Sequence, residues 1–209
     1  MTWSVKEMFL TLQGEGQQSG RVAVFLRFTG CNLWSGREQD RHKAVCQFCD
    51  TEFVGFDGIN GGQFTSATEL AKAAFSLWPG GGEPLVVCTG GEPLLQLDDE
   101  LIQALHEQGF EIAVETNGTI KAPKGIDWLC VSPKADAALL QTSGDELKLV
   151  YPQVKNQPTD FEHLDFSKFS LQPLDDEQSK ENTDAAIKWC QKHPKWRLSL
   201  QTHKWTNIP

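Results

Sequence analysis

The sequence predicts an α/β fold in which parallel strands curl into a partial, TIM-like barrel. Three observations carry that expectation. Seven short apolar runs, several of them β-branched, alternate with segments of helical spacing. Polar and glycine-rich residues follow most of these runs directly, as where a barrel gathers its chemistry at the C-terminal ends of its strands. The 209 residues suffice for one large core, and no repeat, low-complexity tract or Pro/Ser-rich linker divides them, so residues 1–209 read as a single domain.

Taken in order, the first run, Val22-Phe28, leads into Gly30-Cys31. Leu85-Cys88 leads into Thr89-Gly90-Gly91-Glu92-Pro93, Glu111-Glu115 into Thr116-Asn117-Gly118, and Trp128-Val131 into Ser132-Pro133-Lys134. Glu146-Tyr151 follows. Phe169-Leu171 precedes Gln172-Pro173-Leu174-Asp175, and Arg197-Leu200 precedes Gln201-Thr202-His203. Each run is too short for a helix and apolar enough for a buried strand. Helical spacing marks Ala67-Trp78, Asp98-Gln108 and Thr183-His193. In the second of these Leu101, Ile102, Leu105 and His106 share one side, with Asp98 as N-cap and Gly109 as stop. The third stops before Pro194. The later connections are short enough for turns to replace crossover helices.

A net charge of -9 disfavours a protein that grips a phosphate backbone through a broad basic surface, so direct nucleic-acid binding is not expected. No apolar stretch is long enough to cross a bilayer. Lys6, Glu7, Gln13 and Glu15 interrupt the apolar residues near the N-terminus, unlike a secretory signal, and the expected location is the cytoplasm. Six cysteines in a chain with seven Trp and twelve Phe read as reduced thiols, since such a chain needs no staples. The mixed-sign run from Gly36 to Lys43 reads as a solvated loop.

Cys31, Cys46 and Cys49 form a C-x14-C-x2-C pattern. Structural thiolate sites usually have four ligands, whereas three leave one metal position free for chemistry. Zinc is the simplest alternative, with His42, Asp50 or Cys88 as a fourth ligand. The company of the cysteines points elsewhere: Phe48 lies within the close pair, Asp50-Thr51 follows it, and Thr89 to Pro93 ends a strand downstream. Together these resemble the radical S-adenosylmethionine superfamily. The resemblance implies a [4Fe-4S] cluster on Cys31, Cys46 and Cys49, with S-adenosylmethionine chelating the iron that lacks a protein ligand. Gly91 would let the backbone approach that cofactor, Glu92 and Pro93 would shape the turn, and Phe48, Cys49 and Asp50 would lie beside adenine or ribose. The enlarged spacing costs roughly 1.5 kcal/mol in loop closure, small beside site energies on the order of ten. Residues from about 32 to 45 therefore form a tolerable cluster-loop insertion.

Within the superfamily the chain is similar, over essentially its whole length, to the 7-carboxy-7-deazaguanine synthases. The similarity rests on Leu12-Gln13-Gly14-Glu15-Gly16, Arg27, Cys46 to Thr51, Thr89 to Pro93, Glu115 to Gly118, Ser132-Pro133-Lys134 and Gln172-Pro173-Leu174. It implies a lyase that turns 6-carboxy-5,6,7,8-tetrahydropterin into 7-carboxy-7-deazaguanine, with loss of ammonia, for queuosine and other deazapurines. Leu12, Gln13, Gly14 and Glu15 would accept from pterin N–H groups, and Arg27 would fork onto the substrate carboxylate or form a strand-end ion pair. Thr89 and the Pro209 carboxylate would stand near the pterin, and Thr51 would ligate Mg2+. Ser132, Pro133, Lys134, Gln172, Pro173, Leu174 and Asp175 would bind S-adenosylmethionine, with Glu115 and Asn117 as weaker candidates. His203 is a candidate for substrate contact or for the core. A homodimer and an electron-donor protein such as a flavodoxin complete the expected partners.

Overall fold

Nine strands share one sheet in the computed structural model, which describes residues 2–209. They are β1 (Trp3–Leu12), β2 (Val22–Phe28), β3 (Gly62–Phe64), β4 (Leu85–Gly90) and β5 (Glu111–Thr116), then β6 (Trp128–Val131), β7 (Ser143–Tyr151), β8 (Asp165–Pro173) and β9 (Trp196–Leu198). The order is β3-β1-β2-β4-β5-β6-β7-β8-β9. From β2 to β9 every pairing is parallel, as expected; β1 runs antiparallel to both β2 and β3. β1 and β3 are additions to the predicted set. In β1 the alternation breaks at a bulge between Val5 and Glu7, and the intervening Lys6 is buried against Glu52 and Asp57.

The four α-helices are α1 (Ala67–Phe75), α2 (Asp99–Glu107), α3 (Ser179–Lys192) and α4 (Thr202–Thr206). Asp98 caps α2 through the Leu101 N–H at 3.0 Å, and Gly109 follows the helix with φ +86°. Leu101, Ile102 and Leu105 are buried with Ala104, whereas His106 turns outward to Asp127 at 2.9 Å. Its place on the apolar side is corrected: its imidazole has a charged surface partner. α3 begins four residues earlier than Thr183, where Asn182 ties the Leu174 carbonyl and Asp176 together at 2.9 Å each. α4 was not expected.

Strand alternation sorts the side chains into two layers. Val24, Leu26, Val86, Cys88, Ile112, Val114, Leu147, Leu149 and Leu171 face the helices and join one core with Leu70, Leu101 and Leu105. Their neighbours face inward. Ala23, Leu85, Val87 and Ala113, with Phe25 and Trp128 against them, form a small inner cluster. Apart from Cys130 and Val150, the remaining inward positions are polar, among them Arg27, Thr89, Glu115, Glu146, Lys148, Ser170 and Gln172.

The sheet stays open, with no ladder joining β9 back to β1 or β3 among the described residues. Residues after β9 instead meet the end of β1 and the loop that follows it through side chains and single carbonyls. Thr202 donates from N–H and Oγ1 to the Gly14 carbonyl, each at 3.0 Å. Gly16 N–H donates to Ser199 Oγ at 2.8 Å, and Thr11 Oγ1 donates to the Pro209 carbonyl at 2.9 Å. No helix among the described residues is long and apolar enough to cross a membrane.

Candidate functional site

The three cysteines lie on the loop that leaves β2. Burial pushes the Cys31 and Cys46 thiols up, and in both cases neighbouring cysteines of the trio add to the rise, as they do when the sulfurs share a neighbourhood. All three are free thiols. Cys88, by contrast, is sealed in the core on the helix-facing side of β4, and burial drives its thiol to about 12. Cys190 is half-buried against that core, whereas Cys130 is buried on the inward face of β6, beside Glu115 and Glu146, where burial pushes its thiol well up. His42 is exposed, and Asp50 is paired with Lys204 at 2.7 Å. Among the described residues no three His, Cys, Asp or Glu side chains converge as they would on a single metal ion. Thiolates of an iron-sulfur cluster each hold a different iron, so the three-cysteine set fits a cluster better than mononuclear zinc.

The segment ending β4 packs directly against this loop. A Cβ on Gly91 would sit 2.1 Å from the Gly30 carbonyl oxygen and 2.8 Å from Cys31 Cβ, so glycine is needed here for the cysteine loop itself to approach. Glu92 is fully buried. It accepts from Leu94 N–H (3.0 Å), Thr116 Oγ1 (2.7 Å) and Asn117 N–H (2.8 Å), which fixes the end of β4 to that of β5. Burial pushes its carboxyl upward against those donors. Asn117 then donates to Asn32 at 3.0 Å, back to the cysteine loop.

Two clefts adjoin at the C-terminal strand ends. The first is lined by Cys46, Phe48, Cys49, Gly91, Ser132, Lys134, Gln172, Pro173, Leu174 and Asp175, with Asn117 nearby. Pro133 is buried beneath it, outside the lining. Lys134 donates to Ser132 Oγ at 2.6 Å and stands 5.6 Å from the Phe48 ring centre. The Gln172 amide oxygen accepts from Ser199 at 3.1 Å, and Asp175 pairs with Lys204 at 2.6 Å. The second cleft is lined by Leu12, Gln13, Gly14, Glu15, Arg27, Thr89, His203 and Pro209. Glu15, Asp50, Thr51, Thr89, Glu115 and Gln201 border both. Thr51 thus stands between the two volumes.

A charged lattice underlies that border. Lys148, 3% exposed, donates to Glu15 Oε2 and Glu115 Oε2, each at 2.6 Å. Gln13 donates to Glu115 Oε1 at 2.8 Å, and Gln201 to Glu15 Oε1 at 2.9 Å. Burial acts to raise the Glu15 pKa, but the Lys148 charge and these donors outweigh it and hold the carboxyl at about 2. Burial opposes the Lys148 charge as well, yet the two carboxylates carry its pKa well above the usual lysine value. Glu15 is therefore an acceptor-only carboxylate facing the second cleft.

Arg27 forms the ion pair that was one of its two expected roles. Its Nε donates to Glu7 Oε1 at 2.8 Å, an ion pair within the β1-β2 ladder, while its guanidinium lines the second cleft. Gln13 is nearly buried, with its amide spent on Glu115 and on the Glu15 N–H (3.0 Å). The Gly14 carbonyl is taken by Thr202, and a Cβ there would meet His203 Nδ1 at 2.4 Å. Lys148 and Lys204 were not anticipated. A lysine alternating with Leu147 and Leu149 in an otherwise apolar strand was the available signal for the first.

The insertion keeps its charged run at the surface, as expected, above a base that packs into the protein. Residues Glu38–Lys43 form a 3-10 turn, and Trp34 is buried edge-on against Phe53 with ring centres 5.5 Å apart.

The chain is 65% identical over 210 residues to the 7-carboxy-7-deazaguanine synthase of Caulobacter vibrioides and 59% identical over 210 residues to that of Burkholderia multivorans, covering 100% of each chain in both cases. Its fold matches the crystal structure of QueE from Escherichia coli with a TM-score of 0.67, at 24% identity, over 96% of this chain and 94% of that one. No protein-family model matches.

Proposed function

The chain belongs to the family of 7-carboxy-7-deazaguanine synthases, and on that footing we propose that it is a radical S-adenosylmethionine lyase converting 6-carboxy-5,6,7,8-tetrahydropterin to 7-carboxy-7-deazaguanine with loss of ammonia. One observation carries the reading: a cleft lined by two of the three grouped cysteines and the Gly91 turn shares Glu15, Thr51 and Thr89 with a second, polar cleft holding Arg27. Cofactor and substrate would thus lie edge to edge.

Cys31, Cys46 and Cys49 would hold a [4Fe-4S] cluster, and Phe48, Asp50, Ser132, Lys134 and the segment Gln172 to Asp175 would hold S-adenosylmethionine. Together these groups, when bound and reduced, supply a carbon-centred radical able to take a hydrogen atom from the pterin. The rest is positioning by the chain. Glu15, kept ionised by Lys148, accepts from pterin N–H groups, and its oxygens retain lone pairs beyond those given to Lys148 and Gln201. Arg27 turns its terminal nitrogens toward the substrate carboxylate while Glu7 fixes its Nε. Thr51, at the border, offers a hydroxyl to Mg2+, a hard cation that keeps several waters. Lys204 bridges an acidic pair, Asp50 and Asp175, and cancels one of their two charges at the mouth of the cofactor cleft. A flavodoxin-type donor and a homodimer complete the proposal.

The test is an anaerobic assay of the reconstituted, reduced protein with S-adenosylmethionine, Mg2+ and carboxytetrahydropterin. Carboxydeazaguanine formation is the expected result; a protein carrying a full cluster that makes none refutes the assignment.

A further inference from the structure

The residues between Cys31 and Cys46 form an excursion closed at its base. The Leu33 carbonyl accepts from Val45 N–H (3.0 Å) and Cys46 N–H (3.4 Å), and Leu33 N–H reaches Cys31 Sγ at 3.4 Å. Arg41, on the 3-10 turn, points back toward this base. Its guanidinium carbon lies 4.0 Å from the centre of the Trp34 ring, and its Nε pairs with Glu38 Oε1 at 2.8 Å. One terminal nitrogen, Nη1, donates to the carbonyls of Gln47 (2.9 Å) and Cys49 (3.0 Å). One planar cation is thus fixed on three sides, and what it grips is the peptide turn carrying Cys46 and Cys49.

We propose that Arg41 is a positioning residue for the metal site: it holds the Cys46-x2-Cys49 turn in ligating shape, and its permanent charge behind the thiolates favours the reduced, more negative state of a cluster bound there. The inference rests on the cluster reading above. Two physical points separate this role from ordinary loop packing. A guanidinium satisfies two carbonyls while stacked on an indole, a geometry an ammonium cannot reproduce. Reduction adds one negative charge to the cluster, and a cation held on the backbone carbonyls of the ligating turn attracts that charge at short range. Glu38 opposes this weakly, because its side chain is 76% exposed.

The experiment compares anaerobically reconstituted wild type, Arg41→Met and Arg41→Lys. Iron and sulfide content, the rate of iron loss to a chelator, the midpoint potential by spectroscopically monitored titration, and thermal unfolding are measured for each. Arg41→Met should lose iron several-fold faster and show about a tenfold smaller one-electron reduction constant, about 59 mV more negative. Arg41→Lys should keep the potential close to wild type yet still lose iron faster. Wild-type potential and chelation rate in Arg41→Met overturn the inference. Should Arg41→Met melt early, wild-type chelation kinetics in Arg41→Lys do the same. A wild-type protein that takes up zinc and no iron-sulfur cluster removes the cluster reading itself, an outcome distinct from either.

Discussion

Lys148 is paired with Glu15 at 2.6 Å across the interior of the open barrel, a contact between the middle of β7 and the loop that follows β1. The lysine is 3% exposed and has Glu115 as its other carboxylate partner. Removing it strands two carboxylates, and breaking such a buried arrangement typically costs about 3–5 kcal/mol. Lys148→Met should therefore lower the melting temperature and raise KM for the pterin more than it lowers iron content. Unchanged KM with unchanged stability would refute the role given to this lysine.

The Glu15 pKa yields a pH dependence of known sign. Its folded pKa, about 2, lies below the ordinary value of 4.5, so its contribution to stability is present above about pH 4.5 and is lost as pH falls through 2. The shift corresponds to a contribution on the order of 3 kcal/mol. Acid unfolding of wild type and Glu15→Gln should show their stability difference shrinking across that window. A difference that stays constant down to pH 2 contradicts the pairing.

Gly14 and His203 form a steric couple, since a Cβ at Gly14 would lie 2.4 Å from His203 Nδ1. Gly14→Ala should destabilise the protein by about 1–3 kcal/mol, the usual range for overpacking. Gly14→Ala combined with His203→Ala should recover most of that loss, because the obstructing ring is gone. Additive losses in the double variant would show that the ring is not the obstacle.

For the cysteines the expectation is selective. Replacing Cys31, Cys46 or Cys49 by Ala should abolish cleavage of S-adenosylmethionine and deplete iron, while the apoprotein keeps its fold, since none of the three joins the main core. A variant with full iron content excludes that residue as a ligand.

Thr51→Ala should flatten the response of activity to Mg2+ and leave iron content as in wild type, because Thr51 borders both clefts and its hydroxyl makes no hydrogen bond among the described residues. Titration with Mg2+ is the measurement; an unaltered curve counts against the hydroxyl as a ligand.

The parallel strands were readable because each needs apolar residues toward the helices, and runs such as Leu85-Cys88 and Trp128-Val131 supply them. β1 was not, because a bulge shifts its period and Lys6 sits inside, satisfied only by the distant Glu52 and Asp57. Motif spacing led to Cys31, Cys46, Cys49 and Gly91. It did not reach a further requirement at Gly91, whose missing side chain makes room for Gly30 and Cys31. The insertion could not be read from its charges, since what orders it is an indole beneath a guanidinium and carbonyls several residues away. Lys204 carried no local sign, because its two partners come from separate loops.

Backbone ladders knit the wall of this barrel everywhere except where Thr202 meets Gly14 and Ser199 meets Gly16. A ladder yields only when several bonds break together, whereas these contacts can be traded for water one by one. The wall accordingly has a zip fastener along one side, running past Glu15, and thermal agitation should part it there before any strand frays from its neighbour. Faster amide exchange at Thr202 and Gly16 than at Leu147 or Leu171 would be the mark of it.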